Sequence, residues 1–257
     1  MTVTEPDAER SGSVESDAVE SDAAPAPQPP APQPAVLARG LQLDGKRGRI
    51  YGPVDLTIEP GTLSLLTGPA GSGKTSLLLT LTGRMKPNRG TDLTVLGRKL
   101  PVRALGVQRR SAAVGFEGLD DLDEEVTVAA AVRERQAWLA RWYRIVRTPG
   151  DDAIAEVCAP VFGADPAPKA KQLIHELDEV ENLRLRLALA LLSQPELIVV
   201  DEVDALHDLD SRRCLWESLR SLSELGITVI AAASTAGDLG RLGWSELPTH
   251  LSLPNHD

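Results

Sequence analysis

Thr62-Leu63-Ser64-Leu65-Leu66-Thr67, then Gly68-Pro69-Ala70-Gly71-Ser72-Gly73-Lys74-Thr75, then Ser76-Leu77-Leu78-Leu79-Thr80-Leu81 decides the fold. The first block reads as a short buried strand after the turn pair Pro60-Gly61, and the last as a helix. Between them stands the full pattern Gly, four residues, Gly-Lys-Thr, in the strand, loop, helix setting that gives it meaning. Glycines let the backbone curl so that successive N–H groups point inward at phosphate oxygens, and the positive end of the helix adds to that field. Gly68, Pro69, Ala70, Gly71, Ser72, Gly73, Lys74 and Thr75 are therefore the expected nucleotide-binding residues. Lys74 is expected on the β- and γ-phosphates, and the Thr75 hydroxyl on Mg²⁺.

A second apolar run, Leu197-Ile198-Val199-Val200, ends in Asp201-Glu202. It has the form of a buried parallel strand delivering carboxylates at its C-terminal edge. Asp201 is the expected Mg²⁺ ligand, usually through water, and Glu202 the catalytic general base for an attacking water. The paired acids favour hydrolysis over transfer to a second substrate. The fold class expected from the two runs is an α/β P-loop NTPase.

Around these motifs the sequence is similar to the nucleotide-binding domain of ABC ATPases. The resemblance is carried by Val54-Asp55-Leu56-Thr57-Ile58-Glu59-Pro60-Gly61, by Leu81-Thr82-Gly83-Arg84-Met85-Lys86-Pro87-Asn88-Arg89-Gly90, and by Asp201-Glu202-Val203-Asp204-Ala205-Leu206-His207-Asp208. The last looks like the family's Walker B and D-loop, with Val203 in place of proline and Asp208 on the D-loop aspartate. The resemblance implies a core with mixed β-sheet, an antiparallel β subdomain and a helical subdomain near residues 118–190, together forming an ATP-binding domain over residues 36–257. It also implies ATP and Mg²⁺ as ligands and a second ABC ATPase domain, identical or different, as dimer partner. An integral membrane subunit completes the assembly, and the expected place is cytoplasmic, peripheral on the inner face of the cell membrane.

Several positions depart from the family pattern. Leu177-Asp178-Glu179-Val180-Glu181 stands where Leu-Ser-Gly-Gly-Gln is usual, so three carboxylates replace groups that close onto a partner's γ-phosphate; like charge there is repulsive. A solvated acidic turn at a helix N-terminus suits these residues better. Ser234 takes the place of the switch histidine, and none of His175, His207, His250 or His256 fits that slot. The Q-loop glutamine is missing from Val114-Gly115-Phe116-Glu117-Gly118-Leu119-Asp120-Asp121, where Glu117 or Asp120 facing Mg²⁺ is weighed against a plain solvent-facing acidic loop. No aromatic lies near residues 43–45 to stack on adenine; Tyr51 is the alternative face.

In the middle region, residues 127–146 read as a helix with Val128, Val132, Leu139, Trp142 or Tyr143, and Val146 on one side. Trp138 and Trp142, four apart, read as packing rather than a binding box. Residues 183–192 alternate Leu with Arg or Ala, a strand period. They lack any β-branched residue and consist of strong helix formers, so helix is the reading.

Composition bounds the rest. The 257 residues carry a formal charge of −10, of which −6 belongs to residues 1–35, a Ser, Asp, Glu and Ala stretch followed by a Pro-rich one. Such a segment cannot bury enough apolar surface to offset chain entropy, and it is expected to be a disordered acidic tail and spacer. The acidic balance argues against nonspecific nucleic-acid binding, although a local basic patch survives such an average. Cys158 and Cys214 are too few for a disulfide framework and read as plain thiols. No apolar run approaches the roughly 18 residues of a bilayer span, and no secretory leader is apparent.

Two function classes follow. One is the ATPase subunit of an ABC transporter, with ATP closing a head-to-tail dimer and hydrolysis reopening it. The other is a nucleotide-gated binding or regulatory module with little or no turnover.

Overall fold

The computed structural model describes residues 33–46, 48–201, 203–237, 239–241, 244 and 248–254. The expected tail lies outside the described residues but for its last three, and so do Glu202 and His256.

Five strands form a parallel sheet: β3 (Leu63–Thr67), β6 (Ser111–Val114), β7 (Leu197–Val200), β8 (Thr228–Ala233) and β9 (Thr249–Ser252), in the order β6-β7-β8-β3-β9. Their sequences explain why the sheet is interior. In β3, Leu63 and Leu65 join one apolar cluster and Leu66 the other; in β7, Ile198 and Val200 join the first, Leu197 and Val199 the second. Val229, Ala231 and Ala233 of β8 likewise face one way and Ile230 and Ala232 the opposite way. Alternating side chains point to opposite faces, and both faces are covered, so each strand is a continuous apolar run.

The first cluster is closed by helices α3 (Val128–Leu139), α4 (Asp151–Phe162), α5 (Glu179–Leu191) and α6 (Leu209–Glu224). The second is closed by α1 (Lys74–Leu81), α2 (Ala104–Gln108) and an antiparallel sheet of β1 (Val36–Gly45), β2 (Gly48–Ile58), β4 (Asp92–Val95) and β5 (Arg98–Leu100), ordered β2-β1-β4-β5. Parallel and antiparallel strands are thus both present, divided between two sheets. The antiparallel sheet draws half its strands from ahead of the Gly-rich loop, through the long β1·β2 ladder pairing Val36 with Ile58 and Gly45 with Gly48.

Residues 183–192 fall almost entirely within α5, where Leu185, Leu187 and Ala188 are fully buried. Helix propensity outweighs the two-residue alternation here. The helix read over residues 127–146 is shorter than expected. Thr127 caps α3 by accepting from Ala130 N–H at 3.2 Å, but the helix stops at Ala140, whose ψ of 154° is extended. Trp138 is 79% exposed and Trp142 97%, so the packing role read for this pair is corrected: periodicity fixed their spacing, but no described element covers them. No helix of the described residues is long and apolar enough to cross a membrane.

Candidate nucleotide site

Strand order and register place the two motifs at one edge. Val200 and Leu65 both pair with Ala231 of the intervening β8, so Asp201 and the loop after Thr67 leave the same C-terminal side of a parallel sheet. That edge is where α/β sheets bind ligands.

The Gly-rich loop is built by steric necessity at two of its glycines. Gly73 has φ 86°, and a Cβ there would lie 2.4 Å from the Ile50 carbonyl oxygen and 2.9 Å from Tyr51 Cβ. A Cβ on Gly68 would meet Ser72 Oγ at 2.5 Å and the Leu253 carbonyl oxygen at 2.9 Å. Gly71 also has positive φ, 81°, but open space around it. The turn closes through Ser72 N–H donating to Pro69 O at 3.2 Å. Helix α1 then starts from Gly73 with no side-chain cap, and Leu77 N–H donates to Gly73 O at 2.8 Å. The N–H groups of Lys74, Thr75 and Ser76 precede any helical acceptor and carry the positive end of the helix.

Lys74 Nζ donates to Gly68 O at 2.8 Å and Pro69 O at 3.1 Å, folded over the loop's own carbonyls. Ser72 Oγ is buried and has no hydrogen-bond partner among the described residues. A buried hydroxyl left unmatched costs free energy. An ammonium on backbone carbonyls, a lone hydroxyl and a ring of free N–H donors form a set that suits the oxygens of a polyphosphate. Thr75 is exposed at the first turn of α1, and Asp201 is 4% exposed at the end of β7, with its N–H donating to Val114 O at 3.0 Å. A hydroxyl and a sheltered carboxylate on the same sheet edge are hard oxygen donors of the kind Mg²⁺ takes, completed by waters and phosphate.

Tyr51 is fully buried, its hydroxyl donating to Thr80 Oγ1 at 2.7 Å, and burial pushes its phenol up to about 12. It offers no stacking face. Asp120 is mostly turned into the protein: it accepts from Gly115 N–H at 3.0 Å and Phe116 N–H at 2.9 Å, and pairs with Arg186 of α5, Nε to Oδ2 at 2.8 Å. Glu117 is exposed. Asp178 and Glu181 form a capping box on α5, Glu181 N–H to Asp178 Oδ1 at 2.7 Å and Asp178 N–H to Glu181 Oε2 at 3.1 Å. Glu179 lies 3.2 Å from His207 Nδ1. Asp178, Glu179 and Glu181 therefore serve the N-terminus of α5 and a tie to the segment before α6. Ser234 N–H donates to Asp204 Oδ2 at 2.7 Å. Asp208 caps α6 through Ser211 N–H at 2.8 Å, and these bonds hold its carboxyl below the usual range.

The Arg186–Asp120 pair is a part of the site that the sequence did not reveal. Both side chains are mostly buried, 15% and 18% exposed. The loop they hold contains Gly115, where a Cβ would come within 2.8 Å of the Asp201 carbonyl oxygen. Breaking a buried pair from one side leaves a charge without its counterion. Arg186→Leu is expected to cost about 3 kcal/mol in urea unfolding, the low end for a pair buried to this degree, and a cycle with Asp120→Asn should recover much of it. Additive losses in the cycle would contradict this.

Comparison with known proteins adds the following. A family model described as ABC transporter matches residues 51–205. The Nod factor export ATP-binding protein I of Burkholderia thailandensis is 32% identical over 185 residues, covering 72% of this chain and 58% of that protein. The protein of the same name from Sinorhizobium fredii is 31% identical over 189 residues, 74% of this chain and 52% of that one. The chain thus spans little more than half the length of these relatives. Among solved structures, a dimeric bacterial ABC transporter cassette superposes with a TM-score of 0.64 at 20% identity, covering 84% of this chain and 94% of the other. The structure of cbiO1 from Clostridium perfringens, part of the ABC transporter complex cbiONQ, gives 0.63 at 18% identity, with 79% coverage of each.

Proposed function

The chain belongs to the ABC transporter family, and on that premise we propose that it is an ATP-binding subunit which pairs with a second ABC ATPase domain and with an integral membrane subunit at the inner face of the cell membrane. The observation that carries the nucleotide part is the loop of residues 68–75, with its excluded Cβ positions, its unmatched Ser72 hydroxyl and Lys74 lying over it.

In this reading Lys74 leaves the Gly68 and Pro69 carbonyls for the β- and γ-phosphate oxygens of ATP, while the N–H groups at the start of α1 cradle the rest. Thr75 and Asp201 would hold magnesium, which when bound would neutralise charge developing on the phosphates. Glu202, next along the chain, takes the proton from the attacking water. Burial of Asp201 keeps its carboxylate fixed without costly reorganisation.

The other half of a dimeric site is where turnover is limited. Asp178 and Glu181 are committed to capping α5, so this chain presents carboxylates to a partner's nucleotide. That favours an asymmetric pair. A partner with an intact Leu-Ser-Gly-Gly-Gln completes the site built on Lys74 and Glu202 here, while the partner's own nucleotide is bound without efficient hydrolysis. By itself the chain then behaves as a nucleotide-gated module. Mixing the purified protein with such a partner is expected to raise steady-state phosphate release, and Glu202→Gln in this chain should remove the increment. An increment unaffected by that substitution would show that the productive site lies elsewhere.

A further inference from the structure

We infer that residues 138–147 form a lipid-contacting surface that seats this domain on a bilayer containing anionic phospholipid. The inference is independent of the nucleotide site. In a chain of formal charge −10, the stretch from Arg135 to Gly150 carries four arginines and no acid. Its apolar side chains are turned outward: Trp138 is 79% exposed, Trp142 97%, Tyr143 61% and Ile145 90%. Arg141, Arg144 and Arg147, set between them, are exposed as well.

The local structure keeps these groups outside. Once α3 ends at Leu139 the chain turns back, held by Arg133 Nε donating to Val146 O at 3.2 Å and Arg144 N–H to Arg141 O at 2.8 Å. Arg141 Nη1 donates to the Tyr143 hydroxyl at 2.9 Å, and the Trp142 and Tyr143 rings meet edge to face at 5.7 Å between centroids. Beneath the segment is a hollow of about 450 Å³ lined by Leu139, Arg144, Ile145 and Arg147 among others. A hollow with aliphatic walls and two guanidinium groups fits a headgroup phosphate with the start of its glycerol.

The chemistry singles out a lipid interface among the possible partners. Exposed aromatic rings with a polar edge settle at the depth of the headgroups, where indole and phenol are half wetted. Arginine places its stem along apolar surface and its charge on phosphate. Each cation near an anionic leaflet raises partitioning about fivefold at modest salt. A helix-binding groove would bury its apolar residues along one continuous trough; Trp138 and Leu139 do border a hollow of about 670 Å³ towards Leu119, Leu122 and Val126, but Trp142, Tyr143 and Ile145 stand outside it with arginines between. Leu139 and Ile145 supply aliphatic surface that stacked nucleobases have no use for.

The test uses the full chain and flotation with vesicles of phosphatidylcholine, with and without phosphatidylglycerol. Binding is expected only with phosphatidylglycerol, weakening as salt rises. Brominated lipids should quench tryptophan emission, since Trp216 is buried and Trp244 half-buried while Trp138 and Trp142 are free to insert. Reversing Arg141, Arg144 and Arg147 to Glu should lower partitioning by at least about 100-fold, and Trp138→Ser with Trp142→Ser should abolish quenching. Mg-ATP affinity should be unchanged in both variants, so loss of lipid binding is told apart from loss of the nucleotide site or of the fold. Failure of the unaltered protein to float with anionic vesicles would overturn the inference. So would equal flotation of the arginine variant, or capture of an acidic peptide or single-stranded RNA without any vesicle binding.

Discussion

Lys74→Ala is expected to lower Mg-ATP affinity about 100-fold in calorimetry. Hydrogen bonds to charged groups are worth about 1.5–3 kcal/mol each, and the ammonium on this side chain is expected to make at least one such bond to phosphate. Nζ has two acceptors in the loop, Gly68 O and Pro69 O. Binding therefore exchanges neutral acceptors for anionic ones, and the gain is the difference between them. Those carbonyls sit within the loop itself, so the alanine variant should retain its fold. Unchanged affinity would mean that residues 68–75 do not hold phosphate.

The second large effect is on the loop's shape. Gly73→Ala is expected to destabilise the protein by about 3 kcal/mol or more in denaturant unfolding, and to weaken nucleotide binding with it. Two costs add: a left-handed backbone under a β-carbon costs about 1–2 kcal/mol, and the new atom would overlap the Ile50 carbonyl oxygen and Tyr51 Cβ, both on β2. Overpacking against a fixed strand costs about 1–3 kcal/mol more. Gly71→Ala is the internal comparison, with similar φ of 81° but nothing within 4 Å of the added atom. Its cost should be the backbone part alone, about 1–2 kcal/mol. Equal losses for the two variants would show that backbone conformation alone, and not the close approach of β2, governs this loop.

Much of the fold was legible because the decisive strands are short, apolar on both faces and bounded by glycines or acids. Residues 62–67 and 197–200 read as buried strands for that reason; the strands run Leu63–Thr67 and Leu197–Val200, every residue of them buried. The end of α3 was not legible. Trp138 and Trp142 sit four apart, which is what a covered stripe looks like, and spacing says nothing about whether a neighbour arrives to cover it. Arg186 and Asp120 escaped for a different reason: they are 66 residues apart, and a charge in an amphipathic helix gives no sign that its partner is a loop on another element. Residues 177–181 read as an acidic turn at a helix N-terminus, and the capping box supplies its geometry. Tyr51, weighed as a stacking face, has its ring in the core and its hydroxyl on Thr80.

We propose that this chain holds a complete phosphate loop but presents an acidic, helix-capping turn where a partner's nucleotide needs hydrogen-bond donors. Steady-state phosphate release by the isolated protein at saturating Mg-ATP tests it most directly. Release is expected to be no faster than that of Lys74→Ala, despite saturable nucleotide binding. Brisk turnover by the protein alone, abolished by Glu202→Gln, would contradict it.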